Sequence, residues 1–130
     1  MLLLSIMSSY EDLDAFKACH ELTMAVYKVA ETLEEKDPEL GVQLWSAALC
    51  ASSRIARGSG FRNRKMFWAS VDRSLSALSE IAYHLAMAYT LGLVSKEDHQ
   101  KLESLRGRAS FYCVKLVLEL TSGEQQHDGS

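Results

Sequence analysis

Trp68-Ala69-Ser70-Val71-Asp72-Arg73-Ser74-Leu75-Ser76-Ala77-Leu78-Ser79-Glu80-Ile81-Ala82-Tyr83-His84-Leu85-Ala86-Met87-Ala88-Tyr89 sets Trp68, Val71, Leu75, Leu78, Ala82, Leu85 and Tyr89 at steps of three and four, with no Pro or Gly between them. Residues so spaced share one face of a helix, and the spacing predicts a continuous buried stripe. The helix extends from about Arg64 to Leu91, with Asn63 placed to cap it and Gly92 as a left-handed stop. At a rise of about 1.5 Å per residue it is roughly 40 Å long.

Three other segments repeat the pattern. Before it, Ser9 and Asp12 form a capping-box spacing, and Ala15, Cys19, Leu22, Val26, Val29 and Leu33 then predict a helix from about Tyr10 to Glu35. Asp37-Pro38 restarts the chain, because Asp37 can cap free amides while Pro38 occupies a position whose N–H has no helical partner. The second helix runs to about Arg57 on a face of Leu40, Leu44, Ala47, Ala48, Ala51 and Ile55, and Gly58-Ser59-Gly60 is expected to break it. Its small central residues allow a neighbouring helix to approach closely. After Gly92, Ser95 and Asp98 repeat the capping-box spacing, and Leu102, Leu105, Ala109, Tyr112, Leu116 and Leu120 predict a fourth helix ending near Thr121. Short connections force sequential helices to lie antiparallel, so the fold class is all-α, an up-down-up-down four-helix bundle. The expected organisation is a disordered extension over residues 1–9, the bundle over 10–121 and a disordered tail over 122–130.

At 130 residues, 48% hydrophobic and 24% charged, the chain has the balance of a single globular domain. Its opening Met1-Leu2-Leu3-Leu4-Ser5-Ile6-Met7 is too short for a membrane span and lacks the positive region of a signal peptide. Met7 reads as a natural start. Cys19, Cys50 and Cys113 lie far apart in sequence with no Cys-x-x-Cys pair, and they read as small buried hydrophobes in a reducing cytoplasm. Ile81, Met87 and Leu91, with Phe111, Val117 and Leu118, lie off the main stripes, and such an apolar surplus points to a homo-oligomer.

The net charge of −3 hides a strong segregation. Residues 1–53 carry three Lys/Arg against nine Asp/Glu, residues 54–73 carry six against one, and the remainder carries five against seven. Arg54, Arg57, Arg62, Arg64 and Lys65 surround Gly58-Ser59-Gly60-Phe61 at the start of the third helix, where free amides and the helix dipole favour anions. These five residues are the candidate anion or nucleic-acid site. The alternative is a solvated basic corner that pairs with the acidic first half of the chain. Glu80 and His84 share a helix face, but no Glu-x-x-His motif recurs on other helices as carboxylate-bridged metal bundles require. No metal or other cofactor is therefore expected. His20, His99 and His127 read as polar-face or tail residues, and no nucleophile motif such as Gly-x-Ser-x-Gly accompanies them. Tyr27, Tyr83, Trp45 and Trp68 stand at helical spacing, as packing anchors do more often than base-stacking platforms.

The stretch Gln43-Leu44-Trp45-Ser46-Ala47-Ala48-Leu49-Cys50-Ala51-Ser52-Ser53-Arg54-Ile55-Ala56-Arg57-Gly58 resembles a signature that usually reads Q-L-R-R-A-A-x-S-x-P-x-N-I-A-E-G. Downstream, Glu80-Ile81-Ala82-Tyr83-His84-Leu85-Ala86-Met87-Ala88-Tyr89-Thr90-Leu91-Gly92 is similar to E-L-E-Y-H-L-x-x-A-x-x-L-G. Both belong to a bacterial family of four-helix proteins encoded by intervening sequences in the large-subunit ribosomal RNA gene. That family also includes the accessory variability determinant of diversity-generating retroelements. The resemblance covers about Tyr10 to Leu120 and implies a homopentameric ring of four-helix protomers. For the retroelement members it implies partnership with a reverse transcriptase and its RNA. This chain departs from the pattern at Trp45, Ser46, Ser52, Arg54 and Arg57, so that a basic centre replaces the usual Asn-x-x-Glu one. Its pI of about 5.8 also separates it from the strongly basic retroelement members. The expectation is a cytoplasmic, non-enzymatic homo-oligomer that either engages RNA, DNA or a nucleic-acid enzyme or serves as a scaffold ring.

Overall fold

A computed structural model describes the backbone of residues 10–128 and the side chains of residues 10–122. Among the described residues four long helices follow one another: α1 Asp14–Lys36, α2 Pro38–Ser59, α3 Arg64–Thr90 and α4 Lys96–Asp128. Each packs against the next, and α1 packs against α4, closing an up-down-up-down four-helix bundle. The bundle is the one the periodicity predicts.

The caps explain where the helices start. Asp37 accepts a hydrogen bond from the Leu40 amide at 3.1 Å, with Pro38 behind it at the head of α2. Asn63 Oδ1 accepts from the Lys65 and Met66 amides at 2.8 and 3.3 Å, and Ser95 Oγ accepts from Asp98 at 3.1 Å. Gly92 adopts φ +72°, the left-handed conformation that ends α3 without a Cβ clash.

Three boundaries differ from expectation. The chain turns at Asp12, so α1 begins at Asp14 rather than near Tyr10, and its N-cap Leu13 supplies no side-chain bond. Ser9, the expected cap, and the expected disordered extension lie outside the described residues. Gly58 does not break α2. It lies inside the helix, where a Cβ would come within 2.8 Å of Ser70 Cβ and 3.0 Å of the Phe67 ring. Finally, α4 continues to Asp128, so the segment expected to be a disordered tail is helical as far as that residue. The turns anchored by Leu116 and Leu120 have already met the cost of nucleation, and Glu124, Gln125 and Gln126 are good helix formers.

The buried face of α3 is rotated from the predicted stripe. Val71, Leu78 and Leu85 are buried as expected, but the rest of the face is Ser70, Ser74, Ala77, Ile81 and Ala88. Trp68 and Tyr89 are exposed at 36% and 42%. Ile81 therefore belongs to the core and not to the surface surplus. The displaced stripe has a physical cause in serine. Ser74 is fully buried and donates to the Ala51 carbonyl at 2.8 Å, so hydroxyls occupy core positions that a hydropathy pattern reads as polar.

Hydroxyls tie α2 to both of its neighbours. Ser70 Oγ donates to the Arg54 carbonyl at 2.6 Å. Thr23 Oγ1 of α1 lies 3.0 Å from the Ala48 carbonyl, 2.8 Å from the Cys19 carbonyl and 2.7 Å from Ser52 Oγ. Around this ladder Leu22, Leu33, Leu44, Ile55, Leu78, Ile81, Leu85 and Leu102 are essentially removed from water. Each such side chain contributes about 1.5–3 kcal/mol.

Candidate nucleic-acid interface

The five candidate residues come together at one end of the bundle. Arg54 and Arg57 lie in the last turns of α2, Arg62 in the connection, and Arg64 and Lys65 in the first turn of α3. Arg54 is half-buried and the other four are exposed. Two close contacts fix the spacing of the helices that carry them: Gly58 against Ser70 and Phe67, and the Ser70 hydroxyl on the Arg54 carbonyl.

The electrostatics of the two helix ends differ. Arg57 stands where the α2 carbonyls favour a cation, so its charge also stabilises the helix that bears it. Arg64 and Lys65 stand at the positive end of α3, where a cation is disfavoured, and the first turn of α3 contains no acid. Two cations thus sit where local helix energetics would prefer Asp or Glu.

Among the described residues the acidic half of the chain does not neutralise the four arginines of the corner through direct ion pairs. Among the described residues Arg54, Arg57, Arg62 and Arg64 make no ion pair, while Glu21 pairs with Arg108 at 3.8 Å and Glu103 with Arg106 at 2.5 Å. One part of the expected anion site is corrected. The amides of Lys65 and Met66 are taken by Asn63 Oδ1, and the Phe67 amide bonds the Asn63 carbonyl, so the α3 terminus offers side-chain charge rather than an open cradle of N–H groups. The same asparagine that starts the helix fills the backbone anion site.

The other candidates take structural places. Glu80 is exposed and His84 is half-buried with its ring edge-on to Tyr83 at 5.9 Å. Among the described residues no three His, Cys, Asp or Glu side chains cluster as a metal site. His20 stacks on Phe16 at 5.6 Å and His99 on Tyr89 at 4.6 Å. Trp45 packs edge-on against Tyr27 of α1 at 5.3 Å, and Trp68 Nε1 donates to Thr121 Oγ1 at 3.1 Å.

Two features were not read from the sequence. A crevice of about 710 Å³ opens between α1 and the head of α4, floored by Ala25, Val29, Leu102 and Leu105 and edged by Lys28, Lys36 and Lys101. On the outer side of α4, Phe111, Val114 and Leu118 are 63%, 45% and 60% exposed and line up with Gly107 at steps of four, three and four. Phe111 and Leu118 were visible in the apolar surplus. Gly107 and Val114 complete the seam.

The sequence profile of the 23S rRNA-intervening sequence protein family matches residues 11–110. Among solved structures, a protein of unknown function from the S23 ribosomal protein family of Bacteroides thetaiotaomicron is similar with a TM-score of 0.74 and 11% sequence identity. The similarity covers 79% of this chain and 97% of that one, and at this identity it speaks for the fold. No curated protein matches. Among the described residues no helix is long and apolar enough to cross a membrane.

Proposed function

The chain belongs to the 23S rRNA-intervening sequence protein family, and from that premise we propose that it is a non-enzymatic cytoplasmic module that engages a nucleic-acid phosphate backbone through the α2–α3 end of its bundle. One observation carries this reading: Arg54, Arg57, Arg62 and Arg64 converge at that end without acidic partners among the described residues. Such a cluster neutralises phosphates without reading bases, which makes the interaction sequence-tolerant and salt-dependent. The negative remainder of the chain opposes it, so affinity at physiological salt is at most micromolar unless an RNA- or DNA-handling enzyme contributes a second contact.

The test is retention of single-stranded and duplex RNA and DNA across a salt series. Binding is expected to fall with log–log slopes of about −0.7 per neutralised phosphate for single strands and about −0.9 for duplex DNA. Replacing Arg62 and Arg64 by Glu is expected to weaken retention uniformly across sequences while leaving helicity and oligomer size unchanged. Absence of retention by the wild-type protein at low salt overturns the reading.

A second reading, a homo-oligomeric scaffold ring without nucleic-acid affinity, is favoured by the exposed apolar side chains. Val42 and Leu49 lie on α2, and Phe111, Val114 and Leu118 on α4, two helices at opposite corners of the bundle. Unlike patches on opposite corners suit head-to-tail association, which closes into rings. The family resemblance gives five as the expected number of subunits. Light scattering at micromolar concentration checks it, and a particle of one 14.5 kDa chain excludes it.

A further inference from the structure

α1 and α4 are neighbours that no loop joins. Across their seam Cys19 and Cys113 face each other with sulfur atoms 3.8 Å apart, and neither residue has exposed surface. The chain separates them by 94 positions, so only the closing of the bundle brings them together. A separation of this size is van der Waals contact, while a disulfide has sulfurs about 2.05 Å apart. Each sulfur has less than about 1 Å to travel, the arc of a modest χ1 rotation within one staggered well.

We propose that Cys19 and Cys113 form an oxidative modification site, a buried dithiol that oxidants of the hydroperoxide class convert to an intramolecular disulfide joining α1 to α4. In the first step one sulfur of the pair, as thiolate, attacks the terminal peroxide oxygen and displaces hydroxide from hydrogen peroxide, or alkoxide from an organic hydroperoxide, giving a sulfenic acid and, after protonation, water or an alcohol. In the second, the other sulfur attacks the sulfenic sulfur, its proton leaves with the hydroxyl as water, and the S–S bond forms. The two thiols lose two electrons and the peroxide gains them. Burial opposes ionisation of either thiol while the seam is closed, so the reactive thiolate forms when the seam opens to water.

Access follows from the seam itself. Below the pair a cleft of about 180 Å³ lies between Asp12–Ala15 and the Tyr112, Leu116 and Glu119 side of α4. Above it lies the larger crevice, at whose edge the Glu21–Arg108 ion pair spans the seam with both side chains more than half exposed. An exposed pair of this kind holds the helices together only weakly. A small opening of α1 from α4 therefore admits a molecule the size of a peroxide. Once formed, the bridge closes a loop over most of the chain and removes that opening.

The experiment uses the full chain carrying Cys50→Ser, so that no third thiol competes. The protein is treated with hydrogen peroxide, denatured, alkylated without reductant, and examined by intact mass and peptide mapping. The expected product is monomeric, lighter by two hydrogen atoms, with Cys19 and Cys113 in one linked peptide and neither alkylated. Its thermal midpoint is expected to exceed that of the reduced protein by at least about 5 °C, and dithiothreitol is expected to reverse the shift. Cys113→Ser in the same background is expected to lose the response to peroxide, whatever its basal midpoint. Full alkylation of both cysteines after treatment, oxidation of either to sulfinic acid without a bridge, or bridges between chains would each overturn the proposal. The mass assay on the Cys50→Ser protein decides the matter even where the Cys113→Ser variant does not fold.

Discussion

α2 and α4 are long helices of one bundle, and they meet their neighbours in opposite ways. α2 presents Gly41, Ala47, Ala48, Ala51, Ser52 and Gly58, all buried, and a Cβ added at Gly41 or Gly58 would lie 2.8 Å from Glu34 Cα or Ser70 Cβ. Hydroxyls from both flanking helices reach its carbonyls. α4 has clefts along its seam with α1, a thiol pair in the middle and an outward row of exposed apolar residues, and a Cβ added at Gly107 would meet nothing within 4 Å. Small residues bring backbones close enough for side-chain hydroxyls to cross-link them, whereas larger residues spaced further apart leave crevices. The closely packed side of the bundle carries the basic end, and the other side carries the clefts and the exposed apolar row.

The sharpest way to break this contrast is at Gly58. Valine there drives a branched side chain into Ser70 and the Phe67 ring and strains the Ser70 bond to the Arg54 carbonyl. The expected loss is about 3 kcal/mol, read from the midpoint of urea denaturation. Alanine is expected to cost less, because its better helix propensity returns about 1 kcal/mol. A Gly58→Val variant as stable as wild type would remove the case for a tight α2–α3 contact.

Thr23 tests the same ladder more gently. Thr23→Val keeps the shape of the side chain and deletes the hydroxyl, leaving Ser52 Oγ without its partner at 2.7 Å. An expected loss of about 1–2 kcal/mol follows from stranding a buried polar group. Pairing it with Ser52→Ala should then recover part of that loss, and a double-mutant cycle with no coupling would mean the two hydroxyls do not interact.

How much of this was legible depends on what hydropathy encodes. The four helices, their antiparallel order and the Asp37, Asn63 and Ser95 caps follow from spacing and cap chemistry, which are local. The orientation of α3 does not, because Ser70 and Ser74 are core residues by virtue of carbonyls on α2, partners that no window of sequence contains. Gly58 was misread for a related reason. Glycine marks both chain breaks and close helix contacts, and only the neighbour across the interface separates them. The thiol pair is invisible in sequence because Cys19 and Cys113 meet only when the first and last helices close. The arginines were individually plain, while Asn63 filling the α3 amides emerged only from the cap geometry.

Gly107 carries the smallest expected effect and the opposite sign. It lies inside α4 with open space around the position of a Cβ, so Gly107→Ala removes unfolded-chain freedom and costs no packing. A gain of up to about 1 kcal/mol is expected at protein concentrations too low for self-association. The same glycine heads the row Phe111, Val114 and Leu118, and a residue without a side chain at that point lets a second backbone approach. If a second copy of the chain crosses α4 there, the added methyl group stands in its way. The stabilisation should then shrink as protein concentration rises, and the oligomer seen by light scattering should weaken. A gain that is constant at all concentrations places self-association elsewhere, and a loss at every concentration would mean that Gly107 is packed rather than open.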